Sequence, residues 1–255
     1  MNAISLPVHA VPALKDNHIW IFPTGPDSVA VVDPGEDEPV NRFLTERSLR
    51  LSHILLTHHH LDHIGGVKGL CARHAPVVIG ARADAPRLPA LSLPVGDEPS
   101  LPLGHLQLRV MTTPGHTTGH VVYHVADALF VGDTLFRYGC GRLFEGTPAH
   151  MWHSLLKIRS LPDHTRLFPA HEYTLGNLRF AQALEPDNPD LQQQFETVCR
   201  QTDDGAPTLP VDLHWEKQFN PFLRCDDPRF AAKVDKGHLT PVALFAHLRE
   251  KRNHF

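Results

Sequence analysis

Four side chains that commonly bind metal ions fall within one run of six residues. They are His58, His60, Asp62 and His63, in the order H-x-H-x-D-H. Imidazole nitrogens and carboxylate oxygens are donor atoms that zinc, iron and manganese accept in proteins. A solvated histidine-rich loop is the alternative for such a run, but the density and spacing of ligand-type residues favour a metal site.

Three more ligand-type residues, His116, Asp133 and His171, occupy similar places further along the chain. Each lies just past a short apolar run, as His58 does, and short runs rich in branched residues predict β-strands. In α/β proteins, sites assemble at the edge formed by the carboxyl ends of the strands. We therefore expect all seven residues to meet at one such edge.

Seven ligands are too many for one tetrahedral zinc and suit two metal ions that share a carboxylate. Residues two or four apart can converge, whereas neighbouring side chains diverge. His58 and His60 can therefore serve one ion, while Asp62 and His63 serve another. Asp133 is the natural bridge, because one carboxylate has two oxygens to share. Zinc is the first expectation, and iron and manganese stay open because no cysteine is in the set.

Hydrophobic runs closed by turn residues dominate the first two-thirds of the chain, with helical patterns between some of them. The runs predict strands over residues 19–22, 29–32, 54–56, 77–79, 108–111, 121–125, 129–131 and 167–168. Helices are predicted over residues 38–47, 66–74 and 148–160. Strands that alternate with helices indicate a layered α/β domain.

The pattern changes after about residue 171, where no further strand is predicted. Asn188 and Thr240 each precede a proline, which is a signal for the start of a helix. Helices are predicted over residues 172–184, 189–201 and from residue 241 onward. We therefore divide the chain into an α/β metal-binding domain, residues 1–170, and a small α-helical domain, residues 171–255.

The composition restricts the class of protein. The chain has 255 residues, 42% of them hydrophobic and 20% charged, which is typical of a globular protein. Its formal net charge of −4 argues against nucleic acid as a partner. No stretch approaches the ~20 apolar residues of a membrane helix, and the first residues lack the pattern of a secretory signal. The four cysteines are scattered, which favours the cytoplasm, and we expect a monomer.

Longer motifs around the ligand-type residues carry a resemblance to known enzymes. HHHLDH, TPGHTTGH, VGDTLF and FPAHEYT together resemble the metallo-β-lactamase superfamily of binuclear hydrolases. A second set is similar to the glyoxalase II (hydroxyacylglutathione hydrolase) family and spans nearly the whole length. This set consists of KDNHIW, VVDPG, GCGRLFEG, HEYTLGNLRFA, NPFLR and LREKRNHF.

The resemblance implies a four-layer αββα sandwich followed by a helical glutathione-binding domain. It implies one metal on His58, His60 and His116, a second on Asp62, His63 and His171, and Asp133 as the bridge. It also implies substrate contacts at Arg142, Phe144, Tyr173, Asn177, Arg249 and Arg252. Many relatives have lysine where this chain has Arg142 and Arg252, which keeps the charge. Phe144 replaces a common tyrosine, which removes one hydroxyl.

The activity that the resemblance implies is hydrolysis of S-(2-hydroxyacyl)glutathione thioesters (EC 3.1.2.6). S-lactoylglutathione would give D-lactate and glutathione, the second step of methylglyoxal detoxification. Hydroxide held between two metals would attack the thioester carbonyl. A thiol has a pKa of about 8.5, so the leaving thiolate hardly needs a general acid. Asp133 and Asp62 are the candidate catalytic residues, and we expect Asp62 to hold or shuttle the hydroxide proton.

Other functions stay open at this stage. A lactonase, a β-lactamase-type amidase or a persulfide dioxygenase would use the same scaffold. A neutral lactone needs no carboxylate clamp, and a dioxygenase is expected to hold one iron with fewer ligands. A nuclease of the superfamily needs a basic exosite, which the net charge of −4 disfavours. The complete ligand set disfavours a metal-binding protein without activity.

Overall fold

The computed structural model describes residues 5–255 of the chain. The strands are β1 (His9–Ala13), β2 (Asn17–Pro23), β3 (Ser28–Val32), β4 (Arg50–Leu56), β5 (Val77–Ala81), β6 (Leu93–Val95), β7 (Glu98–Leu103), β8 (Leu106–Thr112), β9 (Val121–Val125), β10 (Ala128–Gly132), β11 (Leu135–Phe136), β12 (Gly139–Cys140), β13 (Arg166–Pro169) and β14 (Val211–Asp212). The helices are α1 (Glu38–Arg47), α2 (Leu61–Ile64), α3 (Val67–His74), α4 (Pro148–Arg159), α5 (Thr174–Leu184), α6 (Pro189–Asp203), α7 (Leu213–Phe219), α8 (Pro228–Lys233) and α9 (Pro241–Asn253).

The strands form two mixed six-stranded sheets and one small hairpin. The first sheet has the order β1-β2-β3-β4-β5-β6, and its last four strands are parallel. The second sheet has the order β14-β13-β10-β9-β8-β7, in which only β10 and β13 are parallel. β11 and β12 pair with each other as a separate antiparallel hairpin.

The period of two along each strand sorts side chains between two layers of core. On β2, Trp20 and Phe22 pack into the core between the sheets, whereas Ile19 and Ile21 pack with α1 and α3. Strands β9 and β10 of the second sheet are almost wholly buried, and α4 packs into the same core through residues such as Met151. Alternate side chains of a strand point to opposite faces, so one strand can pack against the other sheet on one face and against a helical layer on the other. The predicted four-layer α/β sandwich is confirmed.

The C-terminal third is mainly helical, and its helices share a core with the sandwich. The predicted helix starts are confirmed: Asn188 accepts hydrogen bonds from the N–H groups of Asp190 and Leu191, and the Thr240 hydroxyl accepts one from that of Ala243. Phe222, Phe245 and other side chains of this third belong to the same hydrophobic cluster as the α4 residues. Burial of these faces holds the helices against the second sheet.

The prediction that no strand follows residue 171 is wrong. Val211 and Asp212 form β14, which pairs antiparallel with Leu167 and Arg166 of β13 and extends the second sheet. A two-residue strand is too short to show a period, so only its pairing partner reveals it.

The eight predicted strands are the interior strands of the two six-stranded sheets. The four strands of these sheets that were not predicted lie at the sheet edges. β1, β6, β7 and β14 occupy the ends of the two strand orders. Prolines interrupt three of them, at Pro12 in β1, Pro94 in β6 and Pro99 and Pro102 in β7. Proline cannot donate to a ladder and is tolerated at an edge, where half of the backbone groups have no strand to pair with. In residues 5–255, no helix has the length and apolar character needed to cross a membrane.

Candidate metal centre and adjoining cavity

The seven ligand-type side chains come together at the ends of strands from both sheets. His58 follows β4, and His60 directly precedes the short helix α2 that carries Asp62 and His63. His116 lies between β8 and β9, and His171 follows β13. The chain turns sharply at Gly132, at the end of β10, where φ is +49° and an added Cβ would lie 2.5 Å from the Thr57 hydroxyl oxygen. Glycine permits this turn, which delivers the next residue, Asp133, to the centre.

Three histidines form one group of ligand atoms. His60 Nδ1 lies 3.0 Å from His58 Nε2 and 3.0 Å from His116 Nε2. The Oδ2 atom of Asp133 lies 3.2 Å from His116 Nε2. We call His58, His60 and His116 the first group.

A second group faces the other oxygen of the same aspartate. Asp62 Oδ2 lies 3.4 Å from His63 Nε2 and 3.3 Å from His171 Nε2. Asp133 Oδ1 lies 3.5 Å from His63 Nε2 and 3.4 Å from His171 Nε2. We call Asp62, His63 and His171 the second group. Asp133 therefore presents one oxygen to each group, and His58 is also close enough to join His63 and Asp133 in a cluster.

The geometry of these residues fits divalent metal ions. His63 Nε2 and Asp133 Oδ1 are buried without a hydrogen-bond partner, a costly arrangement that a bound cation would relieve. Tetrahedral zinc ligands at about 2.0–2.1 Å from the ion lie about 3.3 Å from one another. The separations of 3.0–3.5 Å within the two groups match that spacing.

The second ring nitrogens of most ligand histidines are held by neighbouring oxygens. Asp33 Oδ2 lies 3.0 Å from His63 Nδ1, and Asp33 also accepts hydrogen bonds from the N–H and hydroxyl of Thr57. His116 Nδ1 donates to the carbonyl oxygen of Arg142 at 2.8 Å, and Asp16 Oδ1 lies 2.8 Å from His171 Nδ1. Such partners fix the tautomer and orientation of a ligand imidazole. Asp16 lies in the motif KDNHIW, but its role was not predicted, because it lies 155 positions from its partner.

The two groups differ in their electrostatics. Burial lowers the pKa of His58, His60 and His116, so these imidazoles keep the neutral form that metals bind. Burial would also lower the pKa of His63, but the carboxylates of Asp133 and Asp33 raise it well above its usual range. In the second group a metal cation would therefore replace a proton.

A cavity of about 450 Å³ opens beside the centre. It is lined by His116, Asp133, Phe136, Cys140, Arg142, Phe144, Tyr173, Asn177, Arg249 and Arg252. All six predicted substrate contacts are among them. The cavity therefore joins the metal centre to a cationic wall.

The arginines of that wall are held in different ways. Arg249 is buried and donates from Nη1 to the Cys140 carbonyl oxygen at 2.5 Å, while its Nε has no partner. Arg252 donates from Nε and Nη2 to Asn177 Oδ1 at 3.4 and 3.3 Å. The Asn177 amide nitrogen donates to the Arg137 carbonyl oxygen. Asn177 thus holds Arg252 in place, and Arg249 is left with unused donor capacity.

Two aromatic side chains flank the ligand histidines. The Tyr173 ring stacks on His171, with ring centroids 4.9 Å apart and planes 2° apart. The Phe144 ring lies edge-on to His60 and His116, at centroid distances of 5.5 and 5.2 Å, and is 63% exposed. An exposed aromatic ring over two ligand histidines forms an apolar rim at the cavity mouth.

Comparison with known proteins identifies the family. The metallo-beta-lactamase superfamily matches residues 17–171, and the C-terminal region of hydroxyacylglutathione hydrolase matches residues 172–255. The chain is 46% identical over 254 residues to the hydroxyacylglutathione hydrolase of Photobacterium profundum, covering 98% of this chain and 100% of that protein. It is 43% identical over 256 residues to that of Rhodobacter capsulatus, covering 99% and 100%. The chain belongs to the hydroxyacylglutathione hydrolase family.

Solved structures show the same fold at much lower identity. The BLEG-1 B3 metallo-beta-lactamase gives a TM-score of 0.67 at 22% identity and covers 85% of this chain and 99% of that one. ETHE1 from Myxococcus xanthus gives a TM-score of 0.63 at 22% identity, and the match covers 97% of this chain and 98% of that one. These two likenesses establish the metallo-β-lactamase fold. Together with membership of the hydroxyacylglutathione hydrolase family, the His and Asp clusters are typical of the binuclear metal site of this fold.

Proposed function

We propose that the chain hydrolyses S-(2-hydroxyacyl)glutathione thioesters such as S-lactoylglutathione (EC 3.1.2.6), the reaction for which its relatives are named. The observation that carries the proposal is one cavity with the seven ligand-type residues on one side and Arg142, Arg249 and Arg252 on the other. A thioester with an anionic thiol half needs both parts: a centre that activates water and cations that hold carboxylates.

The metal centre in this proposal is built from the first group, the second group and Asp133 between them. Two bound divalent ions would supply a hydroxide nucleophile at neutral pH and polarise the thioester carbonyl. Asp133, which presents one oxygen to each group, would contribute to holding both ions. Asn17 Nδ2 donates a hydrogen bond of 3.2 Å to Asp62 Oδ2, and the other oxygen of this carboxylate would accept the proton of the attacking water.

The thiol half of the substrate would lie along the cationic wall. Glutathione carries two carboxylates, and the unpartnered Nε of buried Arg249 is a donor ready for one of them. Arg252, already oriented by Asn177, would contribute a second charge, and exposed Arg142 a third. Because a thiolate leaves without strong acid assistance, the cavity needs no general acid beside the sulfur atom.

The experiment that tests the proposal compares two thioesters. Steady-state loss of thioester absorbance would be followed for S-lactoylglutathione and for S-lactoyl-N-acetylcysteamine, which lacks the carboxylates. We expect kcat/KM to be higher for the glutathione ester by roughly 100-fold, because charge-assisted hydrogen bonds contribute about 1.5–3 kcal/mol each. Removal of metal by a chelator should abolish both activities, and added zinc should restore them.

The other outcomes of that assay are equally clear. Equal rates on the two esters would keep the hydrolase and refute the carboxylate-binding role of the arginines. No turnover of either ester by metal-loaded protein would refute the proposal and direct the search to lactones and persulfides.

Four finer assignments belong to the same proposal. We propose zinc as the metal, because nitrogen and oxygen ligands suit it, and elemental analysis of purified protein tests this. We propose a monomer, which light scattering tests. Four free cysteines support a reducing cytoplasm. We propose that residues 1–170 supply most of the metal ligands and residues 171–255 most of the glutathione contacts.

A further inference from the structure

A cluster of polar and charged side chains lies next to the first group, and none of them lines the cavity. His59 stands between the ligands His58 and His60, and its Nδ1 lies 3.0 Å from Asp84 Oδ2. Its Nε2 lies 3.5 Å from Glu145 Oε1. Arg87 binds the carboxylates of both Asp84 and Glu145. We call His59, Asp84, Arg87 and Glu145 the His59 cluster.

The His59 cluster connects loops that are far apart in sequence. Glu145 Oε2 accepts hydrogen bonds from the N–H and hydroxyl of Thr118, at 2.8 and 3.0 Å, two residues beyond the ligand His116. Asp84 is fully buried against Gly119, where an added Cβ would lie 2.2 Å from Asp84 Oδ1. The cluster thus joins the segment of His60, the segment of His116 and the segment that carries Phe144.

His60 is the ligand that most needs this support. His63 and His171 each have a carboxylate at the second ring nitrogen, and His116 has a carbonyl oxygen. Across residues 5–255, the hydrogen bonds of the His60 ring go only to the other two histidines of the first group. Its α2 helix also begins without a side-chain cap. The position of His60 therefore depends on the backbone beside it, which His59 anchors.

We infer that Asp84, Arg87 and Glu145 are positioning residues, which act through His59 to hold the first group in the geometry that binds one of the two metal ions. The inference rests on the binuclear centre of the proposed function. A fully buried carboxylate such as Asp84 requires its partners, because an unpaired buried charge is unfavourable. Loss of Arg87 would release both carboxylates and loosen the loops of His60 and His116. The second group has its own partners, Asp33 and Asp16, and would keep its ion.

The test measures the release of each zinc ion separately. Wild type and Arg87→Met, which keeps an apolar stem without the charge, would be loaded with zinc and mixed with a chromophoric chelator. We expect wild type to hold two equivalents. We expect Arg87→Met to release one equivalent at least tenfold faster while the other leaves at the wild-type rate. Excess zinc should restore the kcat of Arg87→Met without changing its KM. The release rate of the faster equivalent in Arg87→Lys should lie between those of wild type and Arg87→Met.

Arg82→Met is the matched control, because Arg82 is exposed and lies on the 3-10 turn that carries Asp84, outside the cluster. It should release both ions as wild type does. Glu145→Gln, at a partly exposed position, repeats the test if Arg87→Met fails to fold, with the same selective loss expected. The inference is overturned, and the proposed function stands, if wild type holds two ions and the cluster variants release both ions faster to the same extent. The same conclusion follows if the variants release both ions at the wild-type rate. A wild type that holds neither zinc nor, in the same assay, iron or manganese would overturn both.

Discussion

At the scale of single residues, the centre separates histidines that bind metal from histidines that support the binding. The first group consists of two buried imidazoles and the half-buried His60, and the pKa of all three is lowered, so their lone pairs are free for a cation. His120, one position beyond Gly119, accepts the backbone N–H of Asp133 at 3.1 Å and so orients the bridging carboxylate. The residue type alone does not distinguish these roles, whereas the atoms that each ring faces do.

Asp16→Asn tests the partner that holds His171. The change keeps the shape of Asp16 but removes the negative charge 2.8 Å from His171 Nδ1. We expect zinc affinity of the second group to fall by roughly 10- to 100-fold, as for other partners of metal-bound histidines. Competition with a chelator measures this, and Asp27→Asn, at an exposed loop position, is the control. Unchanged affinity would show that His171 is oriented by other contacts.

Arg249→Ala tests the buried cation of the cavity wall. Its loss should raise KM for S-lactoylglutathione by roughly 10- to 100-fold and leave kcat nearly unchanged, because carboxylate binding is lost in ground and transition states alike. The neighbouring exposed Lys251→Ala should behave as wild type. A wild-type KM in Arg249→Ala would contradict the assignment, and a drop in kcat alone would place Arg249 nearer the reacting atoms.

At the scale of elements, the hairpin β11–β12 is fixed by side chains of the C-terminal third. Asn220 donates to the carbonyl oxygens of Phe136 and Gly139 at 3.2 and 3.0 Å. Glu216 Oε2 accepts the N–H of Tyr138 at 2.8 Å, where φ is +58°. These contacts hold Tyr138, in the turn of the hairpin, in the left-handed backbone conformation. The hairpin in turn brings Phe136 and Cys140 to the cavity.

Glu216→Gln tests this attachment through pH. Burial raises the pKa of Glu216 to about 7, more than the hydrogen bond from Asn220 lowers it. The folded chain therefore binds this proton more tightly than the unfolded chain. The stabilisation is complete below about pH 4.5 and is lost as pH rises through 7. Relative to Glu216→Gln, wild type should lose about 3 kcal/mol of unfolding free energy between pH 4 and 8. Denaturant unfolding at several pH values measures this, and a constant difference would contradict it.

At the scale of the whole molecule, the helical third and the sandwich are packed through one continuous core. Phe245 of α9 contacts Phe222 at a ring distance of 5.7 Å and Trp152 of α4 at 6.4 Å. β14 adds a strand from the same third to the second sheet. Shared burial of this kind couples the stability of the cavity wall to that of the metal-binding sandwich.

Phe245→Ala tests the coupling. Removing a fully buried aromatic ring should lower the unfolding free energy by about 3–5 kcal/mol. Because the core is shared, circular dichroism and tryptophan fluorescence should shift together in one transition. Phe255→Ala, at a side chain that is 58% exposed, should have a much smaller effect. Separate transitions for the two probes would show that the two parts unfold independently.

Local patterns in the sequence were enough to predict the interior strands, the helix starts at Asn188 and Thr240, and the seven ligand-type residues. Interior strands contain short apolar runs, helix caps act over three residues, and ligand chemistry depends on residue type, so each signal is contained in a short window. The family resemblance was also evident from short sequence motifs, and it is confirmed.

Only the tertiary structure decided the features that depend on distant residues. The edge strands became visible through their pairing partners, and β14 contradicted the prediction for the last third. The pairs Asp16 with His171, Glu216 with Tyr138, and Glu145 with Thr118 join residues that no periodic pattern relates. Such contacts arise when separate segments pack together. The sequence therefore determined which chemistry this chain can perform, and packing determined which side chains hold that chemistry in place.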